Sequence, residues 1–456
     1  MKAKKIKIAS VSVALFLLTT IGVRLYIVHQ PGAFAHRNVV LITVDALRAD
    51  HLGCYGYKRN TSPFLDSLVK KDAVLFTQAV SHASYTPGSM AAIATGNYYA
   101  EHHLKGFGGL LNSQLPTLAE ILQQNGYKTI FIGGNLFYRG LYDLGRGFDF
   151  CSAGEFSKRA VIQFAISELA GLKHKNFFMW LHYMGTHAPY LAPKGYLDIF
   201  LNDAFFDPKR NLPAVQSDIT GYGVQGIPQH VYIDGMNNPD FYIAQYDAAI
   251  RFFDAQLKLF IGKLKDLGLY DNTIIIISAD HGELLGEHGY YFGHGVFLYE
   301  PLLKVPLIIK ASPSVKKENV QQPVGASVDI APTILDMLGI KAGSSFDGCS
   351  LVPLISGGGK PSREFTIHDT THEKTAIRTA RWKLIRSETA RSPAYELYNI
   401  QDDPQESVNL VDTEREVSES LRSVLDAYCK SKPVWVPQEP LEEASKKQLQ
   451  ALGYLQ

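Results

Sequence analysis

The run Thr273-Ile274-Ile275-Ile276-Ile277 constrains this chain most, because β-branched residues with no polar break form a strand only where both faces are buried. Such strands belong to parallel sheets covered by helices on either side. The run leads into Ala279 to Gly295, which opens Asp280-His281-Gly282-Glu283 and carries His288 and His294. An acid and imidazoles therefore stand at a strand's carboxyl end, where ligands bind in open α/β sheets. Asp-His followed by a glycine that lets a second backbone approach is half of a metal site; a helix cap with surface histidines is the plain alternative.

A second strand of the same kind, Asn38 to Val44, ends in Asp45 and runs on through Ala46-Leu47-Arg48-Ala49-Asp50 to a turn at Gly53 and Gly56. Two buried strands thus end in candidate ligands. Asn60-Thr61-Ser62-Pro63 predicts a helix to about Lys71, with Ser62 as N-cap and Pro63 at the first position. A short strand is expected from Val74 to Val80. Ser84 to Gly96 then sets a hydroxyl residue ahead of a Pro/Gly turn and a small-residue helix. At a helix N-terminus, unpaired N–H groups and the macrodipole favour an alkoxide and a bound oxyanion, although a simple Thr or Ser cap gives the same pattern.

The chain has 456 residues and a net charge of +1, and it lacks any basic run with interleaved aromatics, so nucleic acid is set aside as a partner. Cys54, Cys151, Cys349 and Cys429 lie far apart, which argues against a zinc ribbon or thioredoxin-like site and leaves disulfides unassigned. Lys2, Lys4, Lys5 and Lys7 before the apolar run Ile8 to Val23 read as an export segment. Ala33-Phe34-Ala35 offers a cleavage site, while Arg24 can snorkel and extend the run into a membrane anchor. Both readings place the body outside the cytoplasm, periplasmic or otherwise extracytoplasmic, secreted or membrane-anchored.

Taken together, Ile42 to Gly56, Ser84 to Gly96, His182 to Tyr190 and Asp280-His281-Gly282-Glu283 resemble the sulfatase family of the alkaline phosphatase superfamily. Tyr299-Glu300-Pro301, Val305 to Ile309, Asp329 to Thr333, Glu396 to Asn399 with Asp403, Pro404 and Glu406, and a tail from Leu441 to Tyr454 like that of many bacterial members extend the resemblance to Gln456. It implies an α/β fold with a large, mostly parallel central sheet sandwiched by helices, and a small C-terminal α+β subdomain containing an antiparallel sheet. The implied divisions are a signal peptide or anchor at 1–35, a catalytic domain at 36–356 and a C-terminal subdomain at 361–456.

By the same resemblance, Asp45, Asp280, His281 and the Thr86 oxygen bind one divalent ion. Zinc or manganese suits these ligands better than calcium or magnesium. His187, after the strand Asn176 to Leu181, matches a histidine that binds the transferred group, and His294 matches a position held by lysine or histidine. One of the two would protonate the leaving oxygen. Thr86, His187 and His294 are therefore the expected catalytic residues. His182 is assigned a structural role, and His102, after Glu101, is a weaker candidate for supporting the site.

Four departures shift the expected chemistry. Sulfatases proper carry Cys or Ser in a Cys/Ser-x-Pro-x-Arg motif that becomes formylglycine, whereas Thr86, Gly88 and Met90 stand here. Ala46 follows Asp45 where the family often has a second acid. Gly185 stands where it often has a carboxylate, and Ile132-Gly133-Gly134-Asn135-Leu136 replaces its Gly-Lys-x-His turn. A formylglycine hydrate expels sulfate through its second oxygen, but threonine has one oxygen and needs attack at the transferred group itself. The expectation is phosphoester chemistry on a phosphomonoester, phosphodiester or phosphonate, by hydrolysis or by transfer to an alcohol, with a lipid- or glycan-linked ester among the candidate substrates. Sulfate ester hydrolysis without formylglycine and a catalytically inactive binding protein are the alternatives.

Lys194 to Asn238, rich in Pro, Gly and aromatics, reads as a lid or a flexible surface excursion. Helices are expected from Phe241 to Leu267 and from Val328 to Leu338, stopped by Gly268 and Gly339. Beyond Gly357 to Lys360, the segments Phe365 to Asp369, Thr375 to Thr379, Trp382 to Arg386 and Tyr395 to Asn399 predict the small antiparallel sheet. A helix from Thr413 to Cys429 should pack on it through Leu421, Val424, Leu425 and Tyr428.

Overall fold

The structure, a computed structural model, describes residues 38–106, 109–133, 142–153, 160–190, 192–216, 222–311, 319–357, 359, 363–371 and 373–433. The expected export segment at 1–35, the turn at 134–136 and the tail at 441–454 lie outside the described residues. Among the described residues, seven strands form the central sheet: β1 (Asn38–Val44), β2 (Val74–Leu75), β3 (Lys128–Gly133), β4 (Phe150–Ala153), β5 (Phe177–Tyr183), β6 (Thr273–Ala279) and β7 (Leu307–Lys310). Their spatial order is β2-β7-β6-β1-β5-β3-β4, parallel throughout except for β7, which runs against both neighbours.

Every residue of β1, β5 and β6 is buried, so both sheet faces are covered, as their apolar runs require. The parallel register pairs Val44 with Ala279 on one side and with Tyr183 on the other. The chain therefore leaves these adjacent strands at one level, and the residues that follow each tip are neighbours.

The helices used below are α1 (Pro63–Asp72), α2 (Thr86–Thr95), α3 (Lys194–Leu201), α4 (Pro239–Asp266), α5 (Ala326–Leu338) and α6 (Arg415–Ser431). The long α4 packs on α1 and α3, and α5 packs on α2. After α5, the strands β8 (Thr366–Asp369), β9 (Lys374–Arg378), β10 (Trp382–Ser387) and β11 (Ala394–Asn399) form an antiparallel meander, with α6 against β9 and β10.

Several local expectations change. The strand from Val74 to Val80 divides into β2 and a separate pair in which Ala79–Val80 joins Val324–Gly325. The excursion from Lys194 contains α3, whose Phe200 packs against Ala244 and Ala248 of α4; two helical turns are too few to show a period. Arg59 ties this excursion down, bonding Asp203 at 2.9 and 3.0 Å and Asp247 of α4 at 2.9 Å. Val424 faces solvent at 38% exposure, while Leu421, Leu425 and Tyr428 do meet the small sheet. Cys54, Cys349 and Cys429 form no disulfide among the described residues. No described helix is long and apolar enough to cross a membrane.

Ser62 occupies the N-cap position of α1 but makes no capping bond, because its hydroxyl accepts from the Gly53 N–H at 2.8 Å and donates to Asp66 at 2.9 Å. Asp254 of α4 caps the helix instead, accepting from the N–H groups of Phe64 and Leu65 at 3.0 and 2.8 Å. Burial pushes the Asp254 carboxyl up to about 6, against the pull of these N–H groups and Arg251. The folded chain then holds a proton that the unfolded chain releases near its usual 3.8. Through this group, stability should fall as pH rises from about 4 to about 6 and stay level above that. Denaturant titrations across this range check the slope, which Asp254→Asn should remove.

Candidate active site

Asp45 follows β1, Asp280 and His281 follow β6, and His182 lies at the end of β5. All four are fully buried. Donor atoms of Asp45, His182 and Asp280 lie within 4.8 Å of one another. His182 Nε2 is 3.4 Å from Asp45 Oδ2, and His281 Nε2 is 3.4 Å from Asp280 Oδ2 and 3.9 Å from Asp45 Oδ1. Thr86, at the first position of α2, sets its Oγ1 3.2 Å from His281 Nε2 and is 1% exposed. The structure thus brings together the expected Asp45, Thr86, Asp280 and His281, and adds His182.

Hydrogen bonds fix which imidazole atoms face inward. His281 Nδ1 is 2.8 Å from the Gly282 carbonyl, which can only accept, so the proton sits on Nδ1 and the Nε2 lone pair faces Thr86 and the acids. His182 Nδ1 is 2.9 Å from Thr43 Oγ1, which also accepts from the Trp180 indole at 2.9 Å and lies 3.4 Å from the Leu181 carbonyl. When Thr43 donates to that carbonyl, His182 presents a bare Nε2 to Asp45. Among the described residues, His182 Nε2 and Asp280 Oδ2 are buried without a hydrogen-bond partner. Lone pairs and carboxylates facing one another in a buried space fit a bound cation, and this N/O donor set suits a divalent metal.

The carboxylates differ in charge state. Burial opposes ionisation of Asp45, but the imidazoles of His187, His182 and His281 outweigh it and hold the carboxyl well below the usual range. For Asp280, burial and the Asp45 charge raise the pKa, against the opposing pull of His281, His182 and the Thr86 hydroxyl. The N–H groups of Ala46 and His281 donate to Asp280 Oδ1 at 3.1 and 2.9 Å and fix its orientation.

Gly282 has the close-approach role expected of it: its N–H donates to the Leu302 carbonyl at 2.8 Å, and a Cβ there would stand 1.9 Å from the Pro301 oxygen. His187 and His294 lie with ring centroids 5.1 Å apart, and His294 is 4.3 Å from His281. Glu283 had no expected role, yet its buried carboxylate accepts from His294 Nδ1 at 3.1 Å and from the Tyr190 hydroxyl at 3.0 Å. Burial disfavours charge on His294, but Glu283 outweighs it and raises the pKa. His102 is elsewhere, edge-on to His82 at 5.7 Å and accepting from the Leu104 N–H at 3.1 Å.

The Sulfatase family profile matches residues 37–340, most of the chain. The chain belongs to the sulfatase family. It is thus an enzyme of the alkaline phosphatase superfamily and a member of a metal-dependent family of hydrolases. A second profile, N-sulphoglucosamine sulphohydrolase, C-terminal, matches residues 286–430. The N-acetylglucosamine-6-O-sulfatase of Bacteroides thetaiotaomicron is 22% identical over 466 residues, covering 82% of each chain. A solved structure holding its substrate D-glucosamine-2-N,6-O-disulfate is similar at TM-score 0.72 and 21% identity, covering 89% of this chain and 100% of that one. The phosphonate monoester hydrolase of Agrobacterium radiobacter gives 0.70 at 21% identity, covering 87% of this chain and 96% of that one. At such identities the structural likeness establishes the fold, and bears out the mostly parallel sheet with its antiparallel C-terminal partner.

This sulfatase-family centre yields a direct prediction. Isothermal titration of the metal-stripped chain with zinc or manganese should show one tight site. His182→Ala should weaken it by about 100-fold, and Thr43→Val, which removes only the partner of Nδ1, by about 10-fold. Unchanged affinity in both variants would remove His182 from the ligand set.

Proposed function

We propose that this chain is a metal-dependent phosphoester hydrolase or transferase in which Thr86 is the nucleophile. The observation that carries the reading is the buried Thr86 hydroxyl at the N-terminus of α2, 3.2 Å from the His281 lone pair. Asp45, His182, Asp280 and His281 would hold one divalent ion, with zinc or manganese favoured by the imidazole and carboxylate donors. When bound, such an ion lowers the pKa of a hydroxyl beside it and polarises the ester.

The residues supply the remaining roles. The Thr86 oxygen forms a bond to phosphorus as the bond to the leaving oxygen breaks, giving a phosphothreonine. N–H groups at the start of α2 face the developing negative charge. His294, held by Glu283 and raised in pKa, protonates the leaving oxygen, and His187 contacts the transferred group. Water or an acceptor alcohol then attacks phosphorus, the bond to Thr86 breaks, and the hydroxyl is restored. The substrate would be an ester borne by a lipid or glycan.

A second reading, sulfate ester hydrolysis without formylglycine, is favoured by the names of relatives such as the N-acetylglucosamine-6-O-sulfatase. Turnover of matched aryl phosphate, aryl phosphodiester and aryl sulfate separates the two. The phosphoesters should be preferred, Thr86→Ala should reduce their turnover by at least about a thousandfold, and Glu283→Gln by about 10- to 100-fold. Sulfate turnover that survives Thr86→Ala would overturn the nucleophile assignment.

A further inference from the structure

One cavity among the described residues lies apart from the reaction centre. It has a volume of about 950 Å³, and none of Asp45, Thr86, His182, His187, Asp280, His281 or His294 lines it. Its walls come from separate parts of the chain: Arg48 and Asp50 after β1, Arg210 of the excursion, Gly286 to Tyr291, Lys304, and Ile400 to Ser407 beyond the small sheet. That volume is at the upper end of the roughly 300–1,000 Å³ typical of ligand sites.

The charges on these walls largely satisfy one another. Arg48 pairs with Asp50 and Glu287 at 2.7 Å each, Arg378 binds Glu300 at 2.9 Å through both Nε and an amino nitrogen, and Arg210 pairs with Asp240. An anionic ligand would therefore meet the carboxylates of Asp50, Glu287 and Glu300, and a cationic one would meet the guanidinium groups. What remains is uncharged polar capacity: the amides of Gln78, Gln401 and Gln405 and the Ser407 hydroxyl, beside one ammonium at Lys304. Gln401, Gln405 and Ser407 are exposed to solvent. Tyr291, Pro301 and Pro404 add apolar surface to the same walls.

Groups that both donate and accept, set among carboxylates and short apolar faces, match a ligand whose own groups both donate and accept and whose ring faces are apolar. We propose that this cavity is a saccharide-binding site, separate from the reaction centre, which holds an uncharged oligosaccharide segment through Gln78, Gln401, Gln405 and Lys304. It stands whichever ester the reaction centre cleaves. Arg48 borders both regions, since it also donates to the Glu283 carbonyl at 3.1 Å. A glycan held in this cavity would therefore stay tethered beside the catalytic body.

The test is isothermal titration of the full chain with cellotetraose, maltotetraose and tetra-N-acetylchitotetraose, with sodium sulfate as the ionic control. At least one tetrasaccharide should bind at one site. The exposed double substitution Gln401→Ala with Gln405→Ala should weaken that binding by about fivefold or more, as expected for lost hydrogen bonds. Lys304→Met should weaken it as well. In these variants kcat and KM for a small aryl ester should match the parent, which separates this site from the reaction centre. Failure of all three sugars to bind, binding untouched by both variants, or displacement of the sugar by the small aryl ester would overturn the proposal. Sulfate displacing the sugar would do so too, by showing an anion site. The readout is binding, so loss of the Thr86 mechanism would leave the result intact.

Discussion

Two buried carboxylates are held against each other, and much of the catalytic body follows from that constraint. The parallel register of β1 and β6 sets Val44 beside Ala279, so Asp45 and Asp280 leave their strands as neighbours. Both are fully buried, and their mutual repulsion shows in opposite pKa directions. Such a pair is stable only with positive charge or many donors around it. The chain supplies backbone N–H groups from Ala46 and His281, while His182, from the strand on the other side of β1, and His281, from the strand tip itself, turn Nε2 toward the acids. A divalent cation would complete that balance, which is why the donor set reads as a metal site rather than as a structural ion pair.

The small C-terminal sheet belongs to this arrangement. Asp369 of β8 donates its N–H to the His82 carbonyl at 2.9 Å, and His368 Nδ1 lies 2.6 Å from the Ser81 carbonyl. Ser81 is a few residues before Thr86, and its hydroxyl reaches the Asp280 carbonyl, the Ser89 hydroxyl of α2 at 2.8 Å and the Ser327 hydroxyl of α5 at 3.1 Å. A continuous set of hydrogen bonds thus joins β8, the start of α2 and the strand tip carrying Asp280. Farther out, Glu300 is bonded by Arg378 and Lys383 of β9 and β10, and Lys383 also meets Glu406 at 2.6 Å. With each partner buried, removing one would strand the others, so these pairs fix how the sheet sits on the catalytic body.

The strands were legible because each of the central ones is apolar on both faces, and that pattern has few other solutions. Asp45, Asp280 and His281 were legible for a related reason: polar residues at the ends of such strands stand out. His182 was harder to read because it lies within a buried strand, where a histidine bonded to a threonine looks like a satisfied core residue. Only the pairing of β5 with β1 shows that its free nitrogen points at Asp45. Glu283 was visible in its motif, but its role depends on His294 and Tyr190, which reach it from separate segments. The cap of α1 by Asp254 is likewise a contact across 189 and 190 positions that no local signal announces. Val424 failed for the opposite reason: the helical period names a face, but the sheet beneath α6 is narrow and covers only part of it.

The departures from the sulfatase motifs are locked in by their surroundings. A Cβ at Gly185 would stand 2.4 Å from the Tyr183 ring, so a carboxylate cannot return there unless that ring moves. Ala46 holds a left-handed conformation at φ 55, which costs a non-glycine residue about 1–2 kcal/mol and suits Asp or Asn better than Ala. It is kept there by the Tyr246 hydroxyl, which donates to its carbonyl at 2.7 Å, and by its own N–H on Asp280. The turn has therefore kept its shape while losing the side chain for which such a turn is suited. Its N–H still serves the Asp280 carboxylate, so the backbone supports the centre where a second acid is absent. With neither carboxylate present, an ion held as proposed by Asp45, His182, Asp280 and His281 would have less negative charge around it and be the more electrophilic for it.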